Sequence, residues 1–294
     1  MLRLRNLIAA ALFCATMHAQ SAITTDPPAD KAFPATTHTF LLPSHGAQLN
    51  ALVYIAAGSG PHPVVILLYG FPGNEKNLDL AQAIRRAGWD VLFFNYRGSW
   101  GSHGAFSFTN ALQDTHAALA AIRSPALAKT LRADPNNIVL IGHSMGGMLA
   151  TTAAAHDPHI HAIALISAAN MAGSTLPAVT AHKEEAAVPR IANSLAKEGI
   201  EPLAGCTPES LARDLLAHAA AWNIPTRAPA LATRPALIIS SDDGLAPATD
   251  QLATNLKSAG DKNVTTLHIP TDHSYSDHRI ALESAILNWL TTLQ

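Results

Sequence analysis

Charge is thin on this chain. Lysine and arginine number 19 and aspartate and glutamate 21, a formal net charge of −2 over 294 residues. A nucleic-acid binder concentrates basic residues on one face, and no such excess exists here. Long charged tracts are missing too, which argues against an extended disordered region. Cysteine occurs only at Cys14 and Cys206, too few for a disulfide scaffold or a thiolate metal site. No internal repeat or low-complexity tract interrupts the chain. What is present is ample apolar material, 48% of residues, enough for a large core. The 15 histidines are scattered from His18 to His278 rather than grouped as metal ligands, and no metal or organic cofactor is expected.

The N-terminus, "MLRLRNLIAAALFCATMHAQSA", has a basic start at Arg3 and Arg5. An apolar run from Leu7 to Met17 follows, too short to span a bilayer, and then small residues at Ala19, Ser21 and Ala22. This is the plan of a secretory signal peptide over residues 1–22. It implies an exported protein, periplasmic or extracellular, with no integral membrane span in the mature chain. Of the 19 basic residues, removal of Arg3 and Arg5 leaves 17 against 21 acidic ones, a net charge of −4. It also leaves Cys206 as a lone cysteine.

Residues 23–36, "ITTDPPADKAFPAT", are proline-rich and read as a mobile leader. Beyond them the pattern alternates. "THTFLLPS" and "LNALVYIAAG" read as an antiparallel edge pair. "PVVILLYG", "DVLFFNYR", "NIVLIGH", "IHAIALISA", "PALIISSDD" and "NVTTLHIP" read as strands, mostly separated by segments of helical spacing. The continuous apolar runs imply strands buried on both faces, hence a mostly parallel eight-stranded sheet with helices on both sides. Residues 171–234 break the rhythm with helical pieces and no strand. They read as a helical lid inserted between the two parts of the core, 37–170 and 235–294.

"IVLIGHSMGGMLA" contains Gly142-His143-Ser144-Met145-Gly146 at a junction of buried strand and helix. Glycines allow a tight turn there, so the Ser144 hydroxyl can project from it. The following helix aims its N-terminal N–H groups and positive dipole end at the same point. The N–H of Met145 is then a candidate oxyanion donor. A serine hydroxyl needs a base to take its proton, and the base needs an acid to orient it.

Two later strands end in suitable residues. "ALIISSDDGLAP" ends in Asp242 and Asp243. "LHIPTDHSYSDH" ends in Asp272 and His273. Both ends fall on the sheet edge that carries Ser144. His273 is the candidate base and Asp243 the preferred acid, with Asp242 as the alternative. Asp272 adjoins the base along the chain and fits a local turn better. A metal reading of His273 with His278 fails on spacing, because five positions apart they do not share a helix face. His278 fits a structural or exposed role.

Together these residues resemble the α/β-hydrolase superfamily over roughly residues 37–294. "GHSMGG" is similar to its nucleophile elbow, "SDDGLAP" to its acid loop and "TDHSYSDH" to its histidine loop. The resemblance implies an α/β-hydrolase fold with segment 171–234 in the place of the variable lid. "LLYGFPGN" stands where the family usually has His-Gly. The residue after that glycine, here Phe71, would supply the second oxyanion N–H. Tyr69 replaces the usual histidine, which leaves no imidazole for any role it has there. "NYRGSWGSHGAFSF" resembles a loop of hydrolases related to acyl-peptide and dipeptidyl peptidases, with Arg97, Ser99 and Trp100 in structural roles.

The chemistry so implied is acyl transfer through an acyl-enzyme on Ser144 with a small-molecule acyl substrate. Carboxylic esters are preferred. A peptidase or amidase of the same fold is the alternative, and a non-catalytic binding protein on a hydrolase scaffold is a third reading. Leu203, Leu211, Leu215, Leu216 and Trp222 of the lid segment could line an apolar acyl pocket or simply pack against the core. Glu184–Glu185 and Glu198–Glu201 are the possible anchors for a peptide amine. Oligomeric state has no signature in the sequence.

Overall fold

The computed structural model describes residues 22–294, so all of the signal-peptide segment except Ala22 lies outside the described residues. Eight strands form one sheet: β1 Thr36–Ser44, β2 Ala47–Ile55, β3 His62–Leu68, β4 Asp90–Phe94, β5 Ala133–His143, β6 Ala162–Ile166, β7 Ala236–Ser240 and β8 Val264–His268. Their order is β1-β2-β4-β3-β5-β6-β7-β8. β2 pairs antiparallel with β1 and β4, and every other neighbouring pair is parallel. The helices between strands are α1 Leu78–Arg86, α2 Phe108–Arg123, α3 Pro125–Leu131 and α4 Met145–His156. After β6 come α5 Leu176–Thr180, α6 Glu184–Ala196, α7 Pro208–His218 and α8 Ala228–Leu231, then α9 Ala246–Ser258 and finally α10 Arg279–Thr291.

The central strands divide their side chains between two cores with period two. Val64, Ile66 and Leu68 of β3, Leu140 of β5, Ile163 and Leu165 of β6 and Ile238 of β7 face one side. There they meet Leu119 of α2, Met148 and Leu149 of α4 and Leu252 of α9. Val65, Leu67, Val139, Ile141, Ala164, Ile166 and Ile239 face the other side, against Leu80 and Ile84 of α1 and Leu282 and Ile286 of α10. Two-sided burial explains why these strands read as unbroken apolar runs rather than alternating ones.

Between β6 and β7 the chain is helical, as its spacing predicts. α6 and α7 pack against each other, while the stretch around Ile224 and Leu231 packs against α4 and α9 and belongs to the main core. The leader differs from its expectation. It is docked, because its carbonyls satisfy half-buried arginines: Ile23 accepts from Arg86 Nη2 at 3.4 Å and Pro34 from Arg132 Nη2 at 3.3 Å. The Asp30 carboxylate caps the N–H groups of Ala32 and Phe33 at 2.9 Å each. No described helix is long and apolar enough to cross a membrane.

Candidate active site

Strand register sets the site. Leu68, Gly142, Leu165, Ser240 and His268 end or nearly end their strands side by side. The residues just past them therefore converge on one edge. Ser144 stands between β5 and α4 with φ 55° and ψ −120°, a backbone region in which non-glycine residues are strained by roughly 1–3 kcal/mol. Neighbouring backbone holds it there. Ser144 N–H donates to Ile166 O at 3.0 Å, and Ser144 O accepts from Ala169 and Gly147 N–H, both at 2.9 Å.

Three glycines make that turn possible. A Cβ on Gly142 would stand 2.1 Å from Gly146 O, one on Gly146 would stand 2.0 Å from Leu68 O, and one on Gly147 would stand 2.2 Å from Ala168 Cβ. Met145 is the first residue of α4, so its N–H has no acceptor within the helix.

The loop after β3 meets Ser144 directly. A Cβ on Gly70 would lie 2.7 Å from Ser144 Cβ and 3.2 Å from its Oγ, so only bare backbone fits beside the serine. The carbonyls flanking this segment are held by other groups. Tyr69 O accepts from Tyr96 OH at 3.1 Å, and Pro72 O accepts from Trp100 Nε1 at 2.9 Å. The Phe71 N–H between them donates to no protein acceptor in the described hydrogen bonds. Its ring packs on Phe106 and Phe108, with centroids 5.8 and 5.3 Å away.

Tyr69 fills its position as a buried scaffold. Its ring packs against Tyr96 with centroids 4.5 Å apart and planes tilted by 35°, and its hydroxyl pairs with Ser99 Oγ at 2.8 Å. Burial pushes its phenol well above the usual range. Arg97 is structural as well, donating to buried Asp114 through Nε and its backbone N–H at 2.7 Å each.

His273 Nδ1 and Asp243 Oδ2 are 2.7 Å apart, with the Asp243 side chain 6% exposed. Burial works to raise the pKa of Asp243. Hydrogen bonds from His273 and the Leu245 N–H, with the Ser167 and Ser241 hydroxyls close by, outweigh it and hold the carboxyl below the usual aspartate range. Asp242 points away, 65% exposed, with His268 Nε2 at 3.1 Å. Asp272 accepts from Ser276 N–H at 2.9 Å in a local turn. His278 sits just before α10 and pairs with Asp277 at 2.8 Å. Hydrogen bonds from Thr271 and His278 lower the Asp277 pKa to about 2. Among the described residues, no group of three or more His, Cys, Asp or Glu is placed to hold a metal ion. The described hydrogen bonds of His273 go to Asp243 and His143, and Ser144 Oγ is not among them.

Several residues at this edge carry no distinguishing signal in the sequence. Tyr275, φ 57° and fully buried, bonds Ser167 Oγ at 2.9 Å, and Ser167, φ 42°, bonds Ser241 Oγ at 2.9 Å. Arg279 clamps the histidine loop. It donates to Ser274 O at 2.9 Å and grips Asp79 at 2.6 and 2.7 Å. In the helical segment Leu211, Leu215, Leu216 and Trp222 are buried in the core, whereas Leu203 is half-buried and its backbone bridges to Ser99. Glu185 is exposed and pairs with Arg213. An open, mainly apolar cavity of about 470 Å³, lined by Asn170, Ala172, Leu176, Pro177, Ala181 and Asn223, begins one residue past Ala169. Another, of about 350 Å³, lies between the leader and Arg85–Arg86.

Residues 63–258 match the family described as alpha/beta hydrolase fold. Over 120 residues the chain is 32% identical to sn-1-specific diacylglycerol lipase ABHD11 of Xenopus tropicalis, a match spanning 40% of this chain and 35% of that relative's length. Among solved structures, a thermostable carboxyl esterase from Bacillus coagulans, crystallised with glycerol, superposes with a TM-score of 0.67 at 16% identity. It covers 88% of this chain and 99% of its own. The thermostable carboxylesterase EstE1, cloned from a metagenomic library, superposes at 0.62 with 18% identity, covering 97% and 96%. At such identities these structures establish the fold.

Proposed function

Because the chain belongs to the alpha/beta hydrolase fold family, we propose that it is a serine hydrolase cleaving carboxylic esters through an acyl-enzyme on Ser144. The observation that carries this is the 2.7 Å His273–Asp243 pair on the same sheet edge as a serine in a strained strand-to-helix turn. Ser144 Oγ attacks the ester carbonyl, and its proton passes to His273 Nε2. Asp243 holds the Nδ1–H tautomer and stabilises the imidazolium. The N–H groups of Phe71 and Met145 receive the oxyanion, each worth roughly 3 kcal/mol. Collapse breaks the C–O bond, and His273 returns the proton to the leaving alcohol. Water, deprotonated by His273, then adds to the acyl-enzyme and restores Ser144. The apolar cavity that starts at Asn170, next along the chain to the Ala169 whose N–H bonds Ser144 O, suits the hydrocarbon part of an ester substrate. The relatives' names, a lipase and carboxylesterases, lean the same way.

The test is a fluorophosphonate probe with peptide mapping, alongside turnover of p-nitrophenyl esters and aminoacyl-p-nitroanilides. The expected outcome is labelling at Ser144, abolished in Ser144→Ala and His273→Ala, with esters turned over faster than anilides. No labelling of folded protein would move the binding-protein reading to the front. Anilide turnover exceeding every ester would replace esterase with amidase.

A further inference from the structure

His143, the residue before the nucleophile, is 3% exposed, and its imidazole Nε2 lies 2.9 Å from the main-chain carbonyl of His273. Because the acceptor is a carbonyl, Nε2 carries the hydrogen. Nδ1 is then a bare nitrogen, buried and without a partner. The two imidazoles face each other with centroids 4.7 Å apart and planes tilted by 34°. The backbone of His143 is fixed between Gly142, which has no room for a Cβ, and Ser144. Other contacts tie the histidine loop to β7, β6 and α1. Asp242 N–H bonds Thr271 O at 3.0 Å, Tyr275 bonds Ser167, and Arg279, which grips Asp79 of α1, bonds Ser274 O. Among the described residues, the His143 bond is the one hydrogen bond joining that loop to the strand that carries the nucleophile.

We propose that His143 is a positioning residue. Through its hydrogen bond to the His273 carbonyl and the facing of the two rings, it fixes the base at its working distance from Ser144. The idea rests on the hydrolase reading above. His143 suits the task by staying neutral. Burial, and then the His273 charge, lower its pKa to about 4, outweighing the hydrogen bond to the His273 carbonyl and the Asp243 charge, which favour protonation, while Arg279 also opposes it. A ring that is neutral near pH 7 does not compete for the proton that His273 carries during turnover.

The experiment compares His143→Phe, which keeps the ring but loses the donor, with His143→Gln, whose amide nitrogen can reach the same carbonyl. For His143→Phe we expect kcat on p-nitrophenyl esters and the rate of fluorophosphonate labelling to fall together by on the order of ten- to a hundredfold. KM should stay within about threefold and the thermal midpoint near that of the wild type, since the packed ring remains. His143→Gln should recover most of the lost rate. A His143→Phe enzyme as fast as the wild type, or a His143→Gln enzyme as impaired as His143→Phe, overturns the proposal. An inactive and unlabelled wild type sinks the hydrolase reading instead. The low-field Nδ1–H proton of His273, assigned by its absence in His273→Ala, then decides the matter. It should be sharp in the wild type and His143→Gln and lost to exchange in His143→Phe. A line equally sharp in His143→Phe counts against a positioning role.

Discussion

The sheet buries an aspartate at each of its two ends and treats the pair oppositely. Asp243 follows β7 at the edge that carries Ser144, where His273, the Leu245 N–H and nearby serine hydroxyls hold it ionised. Asp90 opens β4 at the opposite edge with no exposed surface. One of its oxygens accepts from Ala56 N–H at 2.9 Å, and the other has no partner. Burial raises its pKa to about 7, against that hydrogen bond and the nearby Arg132 charge. Burial alone therefore does not mark a working carboxylate. The number and direction of its donors do.

The largest effect should come from removing the charge at the site. Asp243→Asn keeps the shape of the side chain but cannot hold His273 in the Nδ1–H form. A loss of kcat/KM on the order of 10³–10⁴ is expected, with the fold retained by circular dichroism. A loss smaller than about tenfold would mean that Asp243 does not orient a base.

The opposite edge should show its carboxylate in stability rather than rate. The pKa of Asp90 is raised on folding, so its favourable contribution is complete below the unfolded value near 3.8 and is lost as pH rises through about 7. At the usual energy per pKa unit this costs on the order of 4 kcal/mol above pH 7. Asp90→Asn removes the titration. Its thermal midpoint should vary less than that of the wild type between pH 4 and 7.5 and lie several degrees higher at the upper end, with ester turnover unchanged. Parallel wild-type and variant curves would show that Asp90 is ionised at no such cost.

The contrast also marks what the residues alone could show. All eight strands are readable: the central ones because two-sided burial forces continuous apolar runs such as "VVILL" and "NIVLIGH", and β1, β2 and β8, which are half-exposed or exposed, from their β-branched content and place in the alternation. Ser144, Asp243 and His273 stood out because each follows a strand that ends at the same edge. The choice between Asp242 and Asp243 was a preference, since adjacent aspartates in one loop differ only in direction. In the structure Asp243 turns inward to His273 and Asp242 outward to His268. The docking of the leader leaves no mark in the sequence, because it depends on Arg86 and Arg132, distant in sequence, reaching its carbonyls. Ser167 and Tyr275 were hidden for a related reason. Their positive φ values and shared hydroxyl bond arise only once β6 and the histidine loop meet.

Those hydroxyls provide the finest test of the comparison. If donors keep Asp243 unlike Asp90, thinning them should move Asp243 a small step toward Asp90. Ser167→Ala removes one hydroxyl beside the carboxylate and keeps a residue with a Cβ at the positive-φ position. Asp243 has a lowered pKa, so the stability and the ionised form it supplies are present at neutral pH and lost as pH falls through that value. With a donor gone, the carboxyl should protonate earlier on acidification. Acid inactivation should therefore begin at a pH higher by on the order of a few tenths of a unit. Turnover at pH 7 to 8 should stay within about threefold of the wild type, because the His273–Asp243 bond itself remains. Unmoved acid inactivation would confine the control of Asp243 to His273 and the Leu245 N–H, and the buried hydroxyl chain to Tyr275 would then serve packing alone.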